Sequence, residues 1–508
     1  MPNDTEISLR RAHIIALLLV FLVPFQLHYD YLLNLFYHAG AAYFDAGLFA
    51  HLLWHNDWTL MNPHLRGDFS YFGVHFSPFL LAVSQLSHFA PTHMVEFFAF
   101  FMASIYAALS LALYRAQVHF WPPTQLRQIA GMGVVAIAFA FNGIVTKGMW
   151  LPHFEFLMPL TIFLLLWHLQ RRNKWLSVFF LALTLSLRED AGVHLAAIVG
   201  LIGLVRYWQQ RQWLAVRTEF WLAAGACVYS LLTWAITASV PKPPGSLNVF
   251  SQIYSGDPAF AHLSIGLMAQ RAQHMLAEHI HLWLGCLVTL VWAWRTRDPY
   301  LPLGFAAYAP WIVLNMLAKN ANTGYLYAYY AFPFVLSLSW PLLAVRYQYG
   351  ENPALPVIRR TLILQAILVA IGLVAWDGGP NFGPNSGAKW GGYRLLKGAV
   401  NASLIHEFVA KFNAGVGDLG VVAADNGTAS LVGGYYHKVP VELLYGYRGK
   451  ADTLLYMCPL PLLAQEVSAQ VARNNCNHRY RMAGAPICMA SNRTISQLAN
   501  FGALMNEE

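Results

Sequence analysis

Long apolar runs separated by short polar segments make up the chain as far as residue 376. A run of about 17 to 25 apolar residues is long enough to cross a hydrocarbon core of about 30 Å as an α-helix. The pattern therefore predicts about eleven membrane-spanning helices. They cover 13–36, 94–114, 128–146, 154–169, 175–188, 191–207, 218–240, 279–295, 300–318, 325–345 and 361–376.

One further apolar stretch, 77–92, is short and is broken by Pro78 and Pro91. It predicts a helix that lies at the membrane interface or re-enters the membrane, because a span needs about 17 residues or more. This interpretation decides on which side of the membrane every later loop lies.

The distribution of Lys and Arg supports that interpretation, since basic residues near the ends of spans stay on the cytoplasmic side. With the N-terminus in the cytoplasm, the cytoplasmic segments hold Arg10, Arg11, Arg115, Arg127, Arg171, Arg172, Lys174, Arg206, Arg211, Arg217, Arg295, Arg297, Arg346, Arg359 and Arg360. The opposite loops before the last span hold only Arg66, Lys147, Arg188, Lys242, Arg271 and Lys319. Counting 77–92 as a span would reverse every later loop and abolish the bias.

The pattern changes after residue 376. The stretch "DGGPNFGPNSGAKWGG" is rich in Gly, Pro and Asn, which is typical of a linker, here 377–401. Within 402–508, the helix-like stretches 403–412 and 460–474 alternate with strand-like stretches at 420–425, 438–444 and 452–457. The sequence thus predicts a membrane domain at 1–376, with a first extracytoplasmic loop at 37–93, and a small α/β domain that lies outside the cytoplasm.

Composition agrees with an integral membrane protein, because 57% of the residues are hydrophobic and only 11% are charged. The first apolar run is too long for the core of a cleavable signal peptide. The net charge of +8 is spread between apolar runs, which excludes a basic nucleic-acid-binding surface.

Cys458, Cys476 and Cys488 lie in the C-terminal domain and have no zinc-site spacing, so we expect at most one disulfide and a leftover thiol.

Ionisable residues gather at one membrane face once the topology is set. They are Asp45, His75, His153, Glu155, Glu189 and Asp190, and each lies at the end of a span or in a short extracytoplasmic loop. Ionisable groups at membrane depth cost a few kcal/mol each on insertion scales, so several at one face indicate a functional site.

Each of these residues also has a simpler interpretation. Asp45 can cap a helix that begins at Ala46. A histidine such as His75 or His153 can be an amphipathic anchor at the interface, and Arg188 beside Glu189 can be a local ion pair. Their joint occurrence at one face favours a site over these separate explanations. Tyr330 fits the interfacial aromatic belt as well as a binding site.

Several motifs, in order, resemble a poorly characterised family of prokaryotic multi-pass membrane proteins. They are "FDAGLFAHLLW", "HFSPFLLAVSQL", "PHFEFLMPLTIFLLLW", "LSLREDAGVHLAAIVGL" and "YLYAYYAFPFV", within about 40–345. That family looks like a branch of the GT-C superfamily, polytopic glycosyltransferases that use sugars linked to polyprenyl phosphate. The family usually has an additional Asp where this chain has Ala50, followed by His51, and this departure weakens any scheme with two carboxylates in the first loop.

The resemblance implies an all-α, GT-C-like membrane domain in the prokaryotic cytoplasmic membrane. GT-C enzymes carry a catalytic carboxylate in the first extracytoplasmic loop, and Asp45 occupies that place. Asp45 would act as the general base on an acceptor hydroxyl or orient it, and we add Glu155 and Glu189 as further catalytic candidates. The acceptor would be a lipid, a glycan or a protein.

Binding the donor requires positive charge or hydrogen-bond donors at its phosphate. The candidates on the extracytoplasmic side are Arg188, Lys147, Arg66 and Lys319, and we add Asp190 and Tyr330 as further substrate-binding residues. A divalent ion is the alternative to these cations. His75 and His153, with the neighbouring carboxylates, would suit zinc or manganese better than calcium, and magnesium remains open.

A transporter or lipid flippase is the competing interpretation, and a scaffold protein is a third. Transporters carry ionisable groups near the middle of the membrane, often on broken helices and in two related halves. Here the charged set lies at one interface and the sequence shows no second copy of it.

Overall fold

The structure is a computed structural model. It describes residues 4–37, 49, 52–53, 60, 70–89, 94–148, 153–242, 250–326, 328–374, 386–390, 393–396, 402–414, 418–432, 435–436, 439–440, 442–443, 449–458, 464–482, 487–494 and 504–506.

Helices make up most of the described chain. The α-helices are α1 (Asp4–Tyr37), α2 (Phe79–Ser87), α3 (Met94–Phe120), α4 (Leu126–Ala140), α5 (Gly143–Gly148), α6 (Leu157–Gln170), α7 (Lys174–Leu187), α8 (Ala191–Gln210), α9 (Arg217–Ser239), α10 (Ile265–Glu278), α11 (Ile280–Thr296), α12 (Leu303–Ala306), α13 (Ala309–Met316), α14 (Ala321–Gly324), α15 (Phe334–Ser339), α16 (Pro341–Tyr349), α17 (Leu355–Leu373), α18 (Ala402–Asn413), α19 (Asn426–Val432) and α20 (Ala464–Asn474). Shorter turns are the 3₁₀ helices Tyr71–Gly73, Phe154–Phe156, Trp213–Ala215 and Ala328–Ala331, and the π-helix Ser251–Ser255.

The helices are those of a multi-pass membrane protein. Six described segments are long and apolar enough to cross a membrane: Ile7–Asn34, Val95–Phe120, Leu126–Thr146, Ala191–Gln210, Arg217–Ser239 and Leu355–Leu373. Helices α10 and α11 add a seventh if they form one span, although the chain bends by 74° between them. Helix α2 is short, with nine residues, as the proline-broken stretch predicts. The total of eleven spans stays a prediction.

Two buried polar side chains within the first helices bind backbone carbonyls of a neighbouring helix, as apolar surroundings favour. His28 on α1 is fully buried, and its Nε2 lies 3.0 Å from the carbonyl oxygen of Ala140 at the end of α4. The Ser110 hydroxyl on α3 donates to the carbonyl of Ala136 on α4. These bonds join α1, α3 and α4, which also pack together along their lengths.

The C-terminal domain is a mixed sheet flanked by helices. The strands are β1 (Ser386–Trp390), β2 (Tyr393–Leu396), β3 (Val422–Ala424), β4 (Tyr435–Tyr436), β5 (Val439–Pro440), β6 (Glu442–Leu443), β7 (Thr453–Met457), β8 (His478–Met482), β9 (Ile487–Ser491) and β10 (Leu504–Asn506). The described six-stranded sheet has the order β10-β8-β9-β7-β3-β6. Strand β3 pairs in parallel with β6 and β7, whereas β7 pairs antiparallel with β9.

One disulfide joins Cys458 to Cys488, and Cys476 is a buried free thiol. This agrees with the expectation of one pair and a leftover cysteine. Strands β1 and β2 form an antiparallel ribbon inside the stretch that the sequence predicts as a linker. Two glycines separate the two strands in the sequence, which is a typical hairpin connection.

The C-terminal domain packs against the membrane domain where α1 ends. Helix α19 contacts α1 and α3. The Tyr37 hydroxyl donates to Glu96 on α3 and lies 2.9 Å from Nε2 of His406 on α18. That same Nε2 lies 3.1 Å from the Glu96 carboxylate. Tyr37, where the predicted first loop begins, therefore contacts the C-terminal domain.

Candidate functional site

The turn between α7 and α8 carries Arg188, Glu189 and Asp190. Helix α7 ends at Leu187, and Arg188 is extended, with φ −165° and ψ 158°. Helix α8 restarts at Ala191, so three charged residues occupy the turn between two apolar helices. Each of the three is less than a tenth exposed.

Close packing holds this turn in place. A Cβ on Gly192 would lie 2.1 Å from the carbonyl oxygen of Ala226 on α9, so only glycine allows this approach of the two helices. From the segment before α2, the Ser77 hydroxyl donates to the carbonyl of Leu187. On α9, the Thr233 hydroxyl donates to the carbonyl of Glu189 at 3.4 Å.

Arg188 is the centre of a network of carboxylates. Its Nε and Nη2 donate to the two carboxylate oxygens of Asp190, at 2.9 and 2.6 Å. Its Nη1 donates to Glu155 Oε1 at 3.3 Å, and its Nε lies 4.0 Å from Glu189 Oε1. A guanidinium that binds a carboxylate with two parallel bonds is held firmly in orientation. Arg188 therefore joins the α7–α8 turn to the segment before α6.

Two histidines bind the two glutamates from other segments. His75 Nδ1 lies 2.8 Å from Glu189 Oε1, while the Phe76 backbone N–H donates to Oε2 of the same carboxylate at 3.0 Å. His153 Nδ1 lies 3.1 Å from Oε2 of Glu155, which sits in the 3₁₀ turn before α6. Both glutamates are thus oriented by partners on each oxygen.

Asp190 stays ionised although it is buried. Burial by itself would raise the pKa of Asp190, but Arg188 and the nearby His194 hold it well below its usual range. His194 Nε2 lies 3.7 Å from Asp190 Oδ2, and its ring packs edge-on against Trp311 and Phe332. The network therefore continues from the turn into an aromatic layer.

The cluster carries more negative than positive charge. One guanidinium faces three carboxylates, which leaves two negative charges unless His75 and His153 are protonated. The cleft beside it is lined by Phe49, Tyr71, His75, Leu80, Phe154 and Glu155, together with Arg188. Its free space of about 10 Å³ has room for roughly one water molecule. The described cleft therefore has no room for a molecule much larger than water.

Tyr254 is a further residue near the cluster, and the sequence analysis did not single it out. Burial raises the pKa of its phenol, the charge of Arg188 lowers it, and Asp190, Tyr330 and Glu189 each raise it further. These effects place the phenol within electrostatic reach of the cluster. Tyr254 belongs to the π-helix in the loop after α9, which has neither helical nor strand periodicity to draw attention to it.

Lys319 and Tyr330 are connected to residues near the cluster through their backbones. The backbone N–H of Lys319 donates to the carbonyl of Tyr254 at 2.9 Å, and the Lys319 side chain is exposed. The Tyr330 carbonyl accepts a hydrogen bond from the indole N–H of Trp311 at 2.7 Å, and the Trp311 ring packs against His194.

Three predicted site residues cannot be placed. Asp45 and Arg66 lie outside the described residues, and the side chain of Lys147 on α5 is likewise outside them. Phe49 is described: it is 4% exposed and packs edge-on against Phe154, at 5.4 Å between ring centres. Phe49, the fourth residue after Asp45 in the sequence, thus lines the cleft.

Within the described part of the chain, no three His, Cys, Asp or Glu side chains come together in a metal-binding arrangement. His75 and His153 each turn Nδ1 towards a different carboxylate. The prediction that these histidines bind a metal therefore gains no support from the described geometry.

No family model, no curated protein and no solved structure matches this chain.

Proposed function

We propose that this protein is a GT-C-type membrane glycosyltransferase. It would move a hexosyl or pentosyl group from a polyprenyl-phosphate donor to an acceptor at the extracytoplasmic face. One observation carries the proposal: Glu155 and His75, from two other segments, meet Arg188, Glu189 and Asp190 of the α7–α8 turn at one end of the apolar helices. Buried ionisable groups of this kind in a membrane protein mark functional sites.

In the proposed reaction an acceptor hydroxyl attacks the anomeric carbon of the donor sugar. The new bond joins the acceptor oxygen to that carbon, the bond from carbon to phosphate oxygen breaks, and the lipid phosphate leaves with the electron pair. Asp45 takes the hydroxyl proton as general base. Glu155 and Glu189 accept hydrogen bonds from sugar or acceptor hydroxyls and so orient them.

The leaving phosphate requires a positive charge that the carboxylate cluster does not supply. Arg188 already binds Asp190 and Glu155, so its charge is compensated. We therefore assign Arg188 and Asp190 to orienting the glutamates and the bound sugar. Lys319 has an exposed side chain, and its backbone N–H binds the carbonyl of Tyr254. It is the best candidate for binding the phosphate among the cations that the structure describes. Arg66 and Lys147 remain candidates from the sequence.

The arrangement of helices along the chain supports the membrane part of the proposal. Described helices occupy each of the eleven apolar runs, including the short helices α6, α7, α12, α13, α15 and α16. We propose that these complete an eleven-span, GT-C-like membrane domain in the prokaryotic cytoplasmic membrane.

A transporter or flippase is the second candidate, and the observation that favours it is the 74° bend between α10 and α11, since transporters often contain broken helices.

The proposed topology places the C-terminal domain outside the cytoplasm, where a disulfide such as Cys458–Cys488 persists. In a background without the exposed thiol of Cys227, Ser403→Cys on α18 is expected to react with a membrane-impermeant maleimide in intact cells. Lys174→Cys, at the opposite end of the helices, is expected to react only after permeabilisation. Labelling of Ser403→Cys only after permeabilisation would show that the orientation is reversed.

The experiment that tests the function is a transfer assay in detergent, where transport cannot occur. Purified protein receives polyprenyl-phosphate donors carrying a radiolabelled hexose or pentose, together with membrane-lipid, glycan and peptide acceptors. We expect label to leave the donor and to appear on one acceptor class. In proteoliposomes, lipid movement between leaflets without any bond breakage would instead favour the flippase.

A further inference from the structure

A second buried guanidinium lies on α10, away from the carboxylate cluster. Arg271 is only 2% exposed, and its Nη1 donates to the carbonyl of Met316 at 2.5 Å. Its Nε is buried and has no hydrogen-bond partner. Among the described residues, no carboxylate oxygen lies within the 4.0 Å of an ion pair, and the Tyr325 ring is 5.9 Å away.

An uncompensated buried charge is costly, and in a membrane protein it is usually retained for function. The acidic residue closest in the sequence is Glu278, at the other end of α10. Its Oε2 lies 3.3 Å from Nε2 of His274, so that carboxylate faces an imidazole. His279 follows at the bend, with Nε2 2.9 Å from the Tyr325 carbonyl. Glu278 is therefore paired with His274 and does not compensate the charge of Arg271.

Gly324 has no side chain, and this leaves room for the Arg271 guanidinium. A Cβ on Gly324 would lie 2.5 to 2.7 Å from Arg271 Cζ, Nε and Nη2. Gly324 belongs to α14, and its φ is not in the left-handed region, so its backbone does not itself require glycine. The residue is needed here for the close contact with Arg271.

An apolar groove lies on the other side of the helix bend. It has a volume of about 140 Å³ and is lined by Leu282, Trp283, Cys286, Leu290, Phe305 and Ile312, among others. The Trp283 indole N–H donates to the carbonyl of Met275, one helical turn after Arg271. Trp283 and Leu290 are 37% and 48% exposed, so the groove is open to lipid.

We propose that Arg271 binds the phosphate headgroup of a membrane lipid whose chain lies in this groove. The guanidinium supplies the charge and its unused N–H groups, and the groove accepts the hydrocarbon. The predicted topology puts Arg271 at the extracytoplasmic face, at the depth of the outer headgroups. Arg271 is buried in this structure, so its surroundings must open for the phosphate to enter. This inference goes beyond the glycosyltransferase proposal, because it stands whether or not the carboxylate cluster catalyses transfer.

The test uses the full-length protein in phosphatidylcholine nanodiscs with increasing amounts of phosphatidylglycerol. Native mass spectrometry counts retained phosphatidylglycerol, and thermal unfolding reports the stabilisation by lipid. We expect Arg271→Gln and Gly324→Ala to bind phosphatidylglycerol about 10- to 100-fold more weakly, as for loss of a hydrogen bond to a charged group. Arg295→Gln, which removes an exposed charge from α11, is the matched control and should bind like the wild type.

Three outcomes would overturn the proposal. In the first, Arg271→Gln binds phosphatidylglycerol as tightly as the wild type. In the second, inorganic phosphate in detergent stabilises the protein as strongly as the lipid does, which would indicate a soluble anion site. In the third, Arg271→Gln unfolds at a lower temperature than the wild type without lipid, which would indicate a structural role. If Arg271→Gln does not fold, Gly324→Ala decides the lipid comparison.

Discussion

Asp45→Asn is expected to slow sugar transfer by about 100- to 10,000-fold, the usual contribution of general-base catalysis. An amide has nearly the shape of the carboxylate, but it cannot take the proton of the acceptor hydroxyl. Asn and Asp are about equally good helix N-caps, so stability should change little if Asp45 also caps a helix. Transfer from the polyprenyl-phosphate donor in detergent gives the rate, and thermal unfolding gives the stability.

Asp57→Asn is the matched control, because Asp57 lies in the same predicted loop and is not among the candidate site residues. We expect this variant to keep the wild-type rate. Normal turnover by Asp45→Asn would reduce Asp45 to a cap, and the general base would then have to be sought among Glu155 and Glu189. A loss of thermal stability in Asp45→Asn that matches its loss of rate would point the same way.

The meeting of His75, Glu155 and Glu189 could be anticipated from the sequence for a simple physical reason. Short loops that join membrane spans must emerge at one face or the other, so counting spans and basic residues assigns each loop to a face. That argument brings residues to the same face of the membrane. It does not say which side chains touch: nothing in the sequence pairs His75 with Glu189 and His153 with Glu155, as the structure does.

Other features left little trace in the sequence. Tyr254 lies in a long loop whose sequence has no helical or strand periodicity. In the sequence, Arg271 looks like an ordinary charged residue of a loop, because the bend between α10 and α11 is not visible there. No Pro or Gly marks that bend, which falls at His279 within "LAEHIHLW". The sequence analysis predicted a linker where β1 and β2 form a ribbon, because the segment is rich in Gly. Trp390 and Tyr393, which flank two glycines, are nevertheless a hairpin signal.

Arg188→Gln is expected to destabilise the protein by about 3 to 5 kcal/mol at neutral pH, the usual cost of removing one partner from a buried ion pair. Asp190 and Glu155 would remain buried without their guanidinium. Thermal unfolding in detergent measures the loss. Arg206→Gln is the matched control, since Arg206 on α8 binds Glu219 on α9 but its side chain is a third exposed, so we expect a loss of less than about 1 kcal/mol.

The pH dependence of Arg188→Gln distinguishes a lost charge from lost packing. In the wild type the pKa of Asp190 lies below its unfolded value of about 3.9, so its stabilisation is present above that pH and is lost as the pH falls through the folded pKa. Without Arg188, burial raises the pKa of Asp190 above the unfolded value, and the folded variant then binds more protons than its unfolded chain does. The stability gap between wild type and variant should therefore narrow when the pH falls from about 7 to about 5. An equal stability difference at both pH values would mean that Arg188 stabilises the protein through packing. The charge network would then no longer support the proposed site.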